Sequence, residues 1–181
     1  KQNMHRFFIM PRKFGQRTTM EMITSMCHKK NSKQLVFSNT HNDAEFLASN
    51  VEANNEGMRI QIHRGGLEQK NRKLYESQMK EGELDILSCT PTLELGIDIG
   101  NVDVVISAFK NEYDSFIQRI GRAGRKGQKS YAICVFDPED AACHYFARNV
   151  PTYLNQKHYV EINKNNSIIS EKHEVSIGME K

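Results

Sequence analysis

The segment QRIGRAGRKG, residues 118–127, concentrates positive charge on a flexible stretch of chain. It holds four basic residues, three glycines and no acidic residue, although the whole sequence carries a net charge of only +3. Arginine suits phosphate because its planar, permanently charged guanidinium donates two hydrogen bonds at once and stabilises charge on a transferring phosphoryl group. A solvated basic helix would carry glutamates and avoid glycine, which costs about 1 kcal/mol per helical position. The segment therefore predicts an anion site, either for a nucleotide phosphate or for a nucleic-acid strand, and a basic segment that contacts only water and salt remains the alternative.

If the anion is a nucleotide phosphate, this sequence holds only half of the site. The stretch GRKGQKS, residues 124–130, is not a phosphate-binding P-loop, because two residues separate its glycines instead of four and a strand follows instead of a helix. No run of carboxylates typical of a magnesium site occurs, and no cysteine or histidine spacing indicates a metal. Arg119, Arg122 and Arg125 recur every three residues, so a helix continuing through them would place them along one side.

The stretch HRGGL, residues 63–67, is a second candidate for anion binding. Its two glycines precede a predicted helix, so backbone N–H groups and the positive end of the helix dipole would face a ligand. Gln69 and Arg72 lie three residues apart on the same side of that helix. A glycine turn before a solvated polar helix remains the alternative.

The stretch TPTLELGIDIG, residues 90–100, is a third candidate. Thr90 ends a predicted strand with a hydroxyl that can bond a phosphate, and Gly96 permits a close turn. Asp98 lies between two isoleucines and needs hydrogen-bond donors, for which ribose hydroxyls qualify. An aspartate that merely caps a turn is the alternative.

Alternating strand and helix patterns must position these loops. Five or six strand–helix units without a hairpin signal predict an α/β domain with a mostly parallel sheet over roughly residues 5–150. Ligands of such sheets meet the carboxyl ends of the strands, so we expect all the candidate loops to lie along one edge. Residues 151–181 are predicted to be a linker or the start of an accessory domain.

Several core and boundary residues are predicted from the same patterns. One helix is expected to turn Phe46, Leu47 and Val51 inward, and the next helix Leu74 and Met79. The segment 113–124 is predicted to be one helix, with Phe116, Ile117 and Ile120 inward. Thr40 with Asp43 resembles a capping box, Gly82 is predicted to end a helix, and Asp137 with Pro138 to begin one.

Bulk composition sets the class of protein. Hydrophobic residues make up 38% and charged residues 26% of the 181 residues, and no apolar run approaches the length of about 18 residues that a membrane span needs. We therefore expect a cytoplasmic protein without a membrane partner, with reduced thiols and with Cys89 and Cys134 buried in strands. Because the chain begins at Lys1, we expect it to be a piece of a longer protein.

These motifs, in this order, resemble the second RecA-like domain of superfamily-two helicases. LVFSNT is similar to motif IV, HRGGLEQKNR to the segment with the QxxR motif, TPTLELGIDI to motif V, and QRIGRAGR to motif VI. The resemblance covers roughly residues 30–140. It implies a three-layer RecA-like fold and a partner domain in the same polypeptide that grips ATP and Mg²⁺. The full-length protein would then be an ATP-dependent helicase, and the fragment alone would not hydrolyse ATP.

The resemblance also implies roles for individual residues. Arg122 and Arg125 would reach the terminal phosphate of ATP across the interdomain cleft, with Arg125 as the arginine finger. Gln118 would help to order the nucleotide site, Asp98 would contact the ribose, and Gly96 would shape that turn. The residues that fall at contacts to strand phosphates are Ser38, Thr40, Gly65, Arg72 and Thr90.

Departures from the DEAD-box pattern favour DNA over RNA. Gln118 stands where that pattern has histidine, Pro91 where it has aspartate, and Leu95 where it has arginine. The segments LELGIDIG and QRIGRAGRKG are more similar to the large helicase-related group, whose members are mostly DNA helicases. The alternatives are a double-strand translocase or remodeller with the same motor, and a non-catalytic nucleic-acid-binding module with the same fold.

Overall fold

The computed structural model describes residues 3–91, 99–110, 112–124 and 128–155. Within these residues, six strands form one sheet. The strands are β1 (Asn3–Ile9), β2 (Gln34–Phe37), β3 (Ile60–His63), β4 (Ile86–Cys89), β5 (Val104–Ala108) and β6 (Lys129–Val135). The helices are α1 (Gln16–His28), α2 (His41–Ala53), α3 (Gln69–Glu81), α4 (Tyr113–Ile120), α5 (Ala141–Arg148) and α6 (Val150–Leu154).

Every pairing in the sheet is parallel, and the strand order is β1-β6-β5-β2-β4-β3. The nearly continuous apolar run predicted to be a central strand is β5, which has all five residues buried and lies between β6 and β2. Parallel strands joined by helices bury both faces of the sheet. The predicted α/β class is confirmed.

Helices cover the two faces of the sheet and make three layers. On one face, α1 and α2 pack Met20, Leu47 and Val51 against β2 and β5. On the other face, α3 packs Met79 against β2 and β4. Beside α3 on that second face, α4, α5 and α6 pack against β6 through a cluster that includes Phe116, Cys143 and Tyr153.

Local sequence signals set several helix ends as predicted. The hydroxyl of Thr40 accepts a hydrogen bond from the backbone N–H of Asp43 at 3.1 Å and so caps α2. Gly82 ends α3 in the left-handed conformation at φ 83°, which glycine adopts without strain. The predicted start of a helix at Asp137 and Pro138 is wrong. Asp137 instead accepts a bond from the N–H of Glu139, and Asp140 caps α5.

For two residues, the prediction that the side chain is buried in the core is wrong. Phe46 is 43% exposed and Leu74 is 49% exposed, whereas Leu47, Val51 and Met79 are buried. A periodic pattern identifies the apolar stripe of a helix but not its width, and the residues at its edge stay in contact with water. Phe46 instead lies beneath the guanidinium of Arg17, 4.6 Å from the ring centroid.

The chain beyond residue 150 begins with packed structure. The boundary predicted after residue 150 falls within α6, where Tyr153 is 2% exposed and donates a hydrogen bond to the carbonyl of Lys110 at 3.2 Å. The strands predicted farther along this tail lie outside the described residues. Among the residues that are described, no helix is both long enough and apolar enough to cross a membrane.

Candidate nucleotide and nucleic-acid interfaces

The basic glycine segment begins as a helix and then turns sharply. The predicted helix over residues 113–124 is wrong in its last part, because α4 ends at Ile120 and Gly121 caps it. Ala123 is fully buried against the cluster that holds Val102, and the N–H of Gly124 donates to the carbonyl of Val102 at 3.3 Å. Gly124 has φ +77°, a conformation that other residues rarely adopt. Arg119 and Arg122 therefore do not lie along one side of a continuous helix.

This turn lies at the amino end of the sheet. Val102 precedes β5, and the side chain of Ser130, the second residue of β6, fills the space where a Cβ on Gly124 would lie. The expectation that all candidate loops share the carboxyl edge is wrong for this segment. The reason is that α4 starts at the carboxyl end of β5 and runs back along the sheet, so whatever follows α4 returns to the opposite edge.

Arg119, the first arginine of the segment, is buried inside the domain. Its side chain is 0% exposed and lies over the ring of Phe37. Its Nη1 donates to Ser107 Oγ at 3.1 Å, and to the carbonyl of Ala108 and Oδ1 of Asn39 at 3.3 Å each. Arg119 thus ties α4 to the end of β5 and to the loop that follows β2. Only its position beside the buried Phe116 and Ile120 on α4 signals this role in the sequence.

The predicted nucleotide residues that the structure describes remain accessible. Gln118 is exposed on α4, and Arg122 is partly buried in the turn that follows. Each side chain carries N–H donors of the kind that bind phosphate oxygens. Arg125, the predicted arginine finger, lies outside the described residues, as do Gly96 and Asp98.

Two residues that were predicted to contact the phosphates of a nucleic-acid strand lie beneath the surface of the carboxyl edge. Ser38 and Thr90 are each 2% exposed. The N–H of Ser38 donates to the carbonyl of Cys89 at 2.9 Å, and the N–H of Thr90 donates to the carbonyl of His63 at 3.2 Å. Each residue therefore extends the sheet by one hydrogen bond. These two bonds align the carboxyl ends of β2, β4 and β3.

The surface of the carboxyl edge is formed by the helix starts beside these residues. The strands β2, β3 and β5 all end here, so the N-termini of α2, α3 and α4 point to this edge and give it partial positive charge. Thr40 is exposed, but its hydroxyl is engaged in capping α2. Asn39 was not predicted as a site residue, yet it lies at this surface and donates to the carbonyl of Phe109 at 3.0 Å.

The loop after β3 brings a histidine–glutamate hydrogen bond close to the predicted anion site. Gly66, at φ +85°, makes the sharp turn, whereas Gly65 has an ordinary backbone conformation. Arg72 lies in the first turns of α3, partly buried, and its Nε has no hydrogen-bond partner among the described residues. At the end of β3, His63 is 1% exposed, and its Nε2 lies 2.9 Å from Oε1 of Glu76 on α3. This pair fixes the start of the loop and was not predicted.

The described residues contain neither a cluster of metal ligands nor a reactive thiol. No group of three histidine, cysteine or acidic side chains comes together within the described residues. All four cysteines are free, and Cys89 and Cys134 are buried as predicted. Burial raises the pKa of Cys143 to about 11, so its thiol is neutral near pH 7 and is a poor nucleophile.

Comparisons with known proteins agree with this geometry. The family model of the helicase conserved C-terminal domain matches residues 17–127. The ATP-dependent RNA helicase RhlB of Shewanella frigidimarina is 35% identical over 127 residues, which are 68% of this chain and 27% of the relative. RhlB of Shewanella amazonensis is 33% identical over 120 residues, or 66% of this chain and 26% of the relative. The chain therefore spans 27% or less of the length of these two relatives.

Solved structures show the same fold. The helicase MrfA, crystallised with DNA, superposes with a TM-score of 0.82 at 25% identity, over 94% of this chain and 26% of MrfA. The C-terminal domain of the DEAD-box protein Dbp5 superposes with a TM-score of 0.69 at 22% identity, over 87% of this chain and 88% of that domain. The chain belongs to the helicase conserved C-terminal domain family and has its RecA-like fold.

Proposed function

We propose that this chain is the second motor domain of an ATP-dependent nucleic-acid helicase. One observation carries the proposal: the basic turn with Arg122 and the polar edge beside Ser38 lie at opposite ends of the same sheet. A motor must hold a nucleotide and a strand at the same time, and two separate edges give each its own surface. The first RecA-like domain of the same polypeptide would supply the phosphate cradle and hold Mg²⁺.

The amino edge is the proposed nucleotide surface. When the two domains close around ATP, Arg122 and Arg125 approach the terminal phosphate and stabilise the charge that develops there during transfer. Gln118 adds a neutral donor, and Asp98 with Gly96 accommodates the ribose. The turn at Gly124 fixes the backbone that carries Arg122, so this donor needs little reorganisation when the domains close.

The carboxyl edge is the proposed strand surface. Hydrogen-bond donors for successive backbone phosphates come from the three helix N-termini and from Asn39, Thr40, Gly65 and Arg72. Below this surface, the hydrogen bonds of Ser38 and Thr90 fix the starts of the loops. Contacts to phosphates carry no sequence information, and binding should weaken steeply as salt rises. Hydrolysis that opens and closes the two domains would then move the protein along one strand.

The test of the nucleotide role is substitution in the full-length protein. Arg122→Ala or Arg125→Ala should lower the rate of ATP hydrolysis by about 10³- to 10⁵-fold, the range over which arginine fingers act, while strand binding stays measurable. Arg148→Ala, an exposed arginine at the end of α5, is the matched control and should hydrolyse ATP normally. Near-normal turnover in both test variants would defeat the assignment, as would robust hydrolysis by the purified 181-residue chain.

We propose DNA as the strand that this motor follows. The support is the set of departures from the DEAD-box pattern at Gln118, Pro91 and Leu95, together with the likeness to MrfA, which was crystallised with DNA. The RhlB relatives are named as RNA helicases, so the two strands must be compared directly. Stimulation of ATP hydrolysis by single-stranded DNA and RNA of one sequence decides between them, and greater stimulation by RNA refutes the choice of DNA. Strand-displacement beside triplex-displacement assays separate unwinding from translocation along a duplex.

A further inference from the structure

Among the described residues, β3 is the last strand of the sheet, and no strand pairs with the backbone groups on its outer side. The carbonyls of Arg59 and His63 accept bonds from Ile86 and Thr90 on the β4 side. Bonding alternates along a parallel strand, so residues 59, 61 and 63 face β4, and the N–H and C=O groups of Ile60 and Ile62 face outward. Among the described residues, no strand lies beyond β3.

Natural sheets usually protect such an edge with lysine, proline or a bulge. The strand here reads Ile-Gln-Ile-His and contains none of these. The edge is short, which limits its reach, but it offers two donors and two acceptors in the order that an added strand requires.

A groove of about 490 Å³ runs along this edge. We call it the β3 groove. Its floor is β3, one wall is α2 with Glu45 and Glu52, and the other wall is formed by Leu67 and Tyr75. The exposed backbone of β3 suits an extended segment of chain, because a helix has no free backbone groups to pair with the edge.

The charge of the α2 wall selects the occupant. Glu45 is paired with Arg64 at 3.2 Å, but Glu52 is exposed and has no ion pair among the described residues. A second copy of this chain fits poorly. Antiparallel pairing of two β3 strands about a two-fold axis would place both α2 helices on the same face and bring their glutamates together.

We propose that the β3 groove binds an extended segment of another protein, which adds as a strand beside β3 and places a lysine or arginine against Glu52. Main-chain hydrogen bonds from Ile60 and Ile62 would supply affinity, and the glutamate would supply selectivity for basic segments. This surface runs along the side of the sheet and is separate from the amino edge. It reaches the carboxyl edge at Arg64 and Leu67, but its lining contains none of the residues assigned to nucleotide or nucleic-acid contacts, so its occupation does not depend on the proposed motor activity.

The test uses the full-length protein and labelled peptides of alternating valine and lysine. Fluorescence anisotropy should show binding of this peptide, weaker binding of a valine–glutamate peptide, and loss of binding when alternate peptide nitrogens are methylated. Glu52→Lys should weaken binding of the lysine peptide about three- to tenfold, because a modest attraction becomes a repulsion of similar size. Glu56→Lys changes an exposed glutamate outside the groove and should leave binding unchanged.

Amide hydrogen exchange identifies the occupant. The amides of Ile60 and Ile62 should exchange faster than those of Gln61 and His63 in the free protein, and the lysine peptide should slow them. Slow exchange before any peptide is added overturns the proposal: protection that grows with protein concentration indicates a second copy, and constant protection indicates a segment of the same polypeptide. Absence of peptide binding, or equal binding of both peptides, overturns it as well.

Discussion

Gly124→Ala tests whether the turn after α4 is set by packing at the amino edge. A Cβ at this position would lie 2.3 Å from Oγ of Ser130 and 3.1 Å from its Cβ, and the backbone has φ +77°. Ser130 is fully buried, so its hydroxyl has little room to rotate away. Alanine in the left-handed conformation costs about 1–2 kcal/mol, and overpacking adds about 1–3 kcal/mol, so the free energy of unfolding should fall by about 2–5 kcal/mol.

Gly82→Ala separates the two contributions. Gly82 has nearly the same backbone conformation, φ +83°, but nothing lies within 4 Å of the position that a Cβ would take. The reduced entropy of the unfolded chain is similar for both alanines, so it cancels in the comparison. Gly82→Ala should therefore cost only the conformational part, about 1–2 kcal/mol.

Urea denaturation of four variants measures the difference. They are Gly124→Ala, Gly82→Ala, Ser130→Ala and the double variant Gly124→Ala with Ser130→Ala. In the Ser130→Ala background, Gly124→Ala should lower the free energy of unfolding by about 0.5–3 kcal/mol less than it does in the original protein, which is the coupling expected of residues in contact. In the full-length protein, Gly124→Ala should also slow ATP hydrolysis, because the turn carries Arg122. Equal costs at Gly124 and Gly82, with no coupling to Ser130, would show that this contact does not set the turn.

Two further predictions concern charged side chains. Arg119→Met should lower the free energy of unfolding by about 3–5 kcal/mol, because it removes a buried guanidinium and leaves its acceptors on Asn39 and Ala108 without that donor. Arg59→Met, at an exposed ion pair, should have a much smaller effect on the free energy of unfolding. Equal effects of the two substitutions in denaturant titrations would contradict the buried network. Hydrogen bonds from Arg59 hold the pKa of Asp85 below its usual 3.8, so the stability from this pair is complete above about pH 4 and is lost as the pH falls through the lower, folded-state value. Asp85→Asn should therefore flatten the acid side of a plot of unfolding free energy against pH, and an unchanged acid slope would contradict the assignment.

Much of the fold follows from patterns that depend on near neighbours in the chain. The run from 102 to 109 predicts a strand covered on both faces because its residues are almost all apolar, and β5 is such a strand. Thr40 and Gly82 mark helix ends because capping needs only a few residues. The limits appear at Phe46 and Leu74, where burial depends on how far a neighbouring element extends over the helix.

The placement of the site was harder to predict than its residue types. Motif spacing locates Arg122 and Thr90 along the chain, but the rule that ligands meet the carboxyl edge misplaced the basic turn, because α4 carries it back across the sheet. Periodicity also treated Arg119 as one of three equivalent arginines. Its burial depends on Asn39 and Ser107, which are distant in sequence and are brought together only by the pairing of β2 with β5.

The helix α4 acts as a spacer of fixed length between the two edges of the sheet. One inserted residue within it would rotate everything that follows by about 100°, given 3.6 residues per turn, and would swing Arg119 out of its buried site while moving Arg122 off the amino edge. Relatives that share this arrangement should accordingly vary in length at the loops beside α2 and α3 and hold constant the number of residues between β5 and Gly124. A comparison of loop lengths among relatives can thus identify the segments of the domain whose length is fixed by the spacing between the two edges of the sheet.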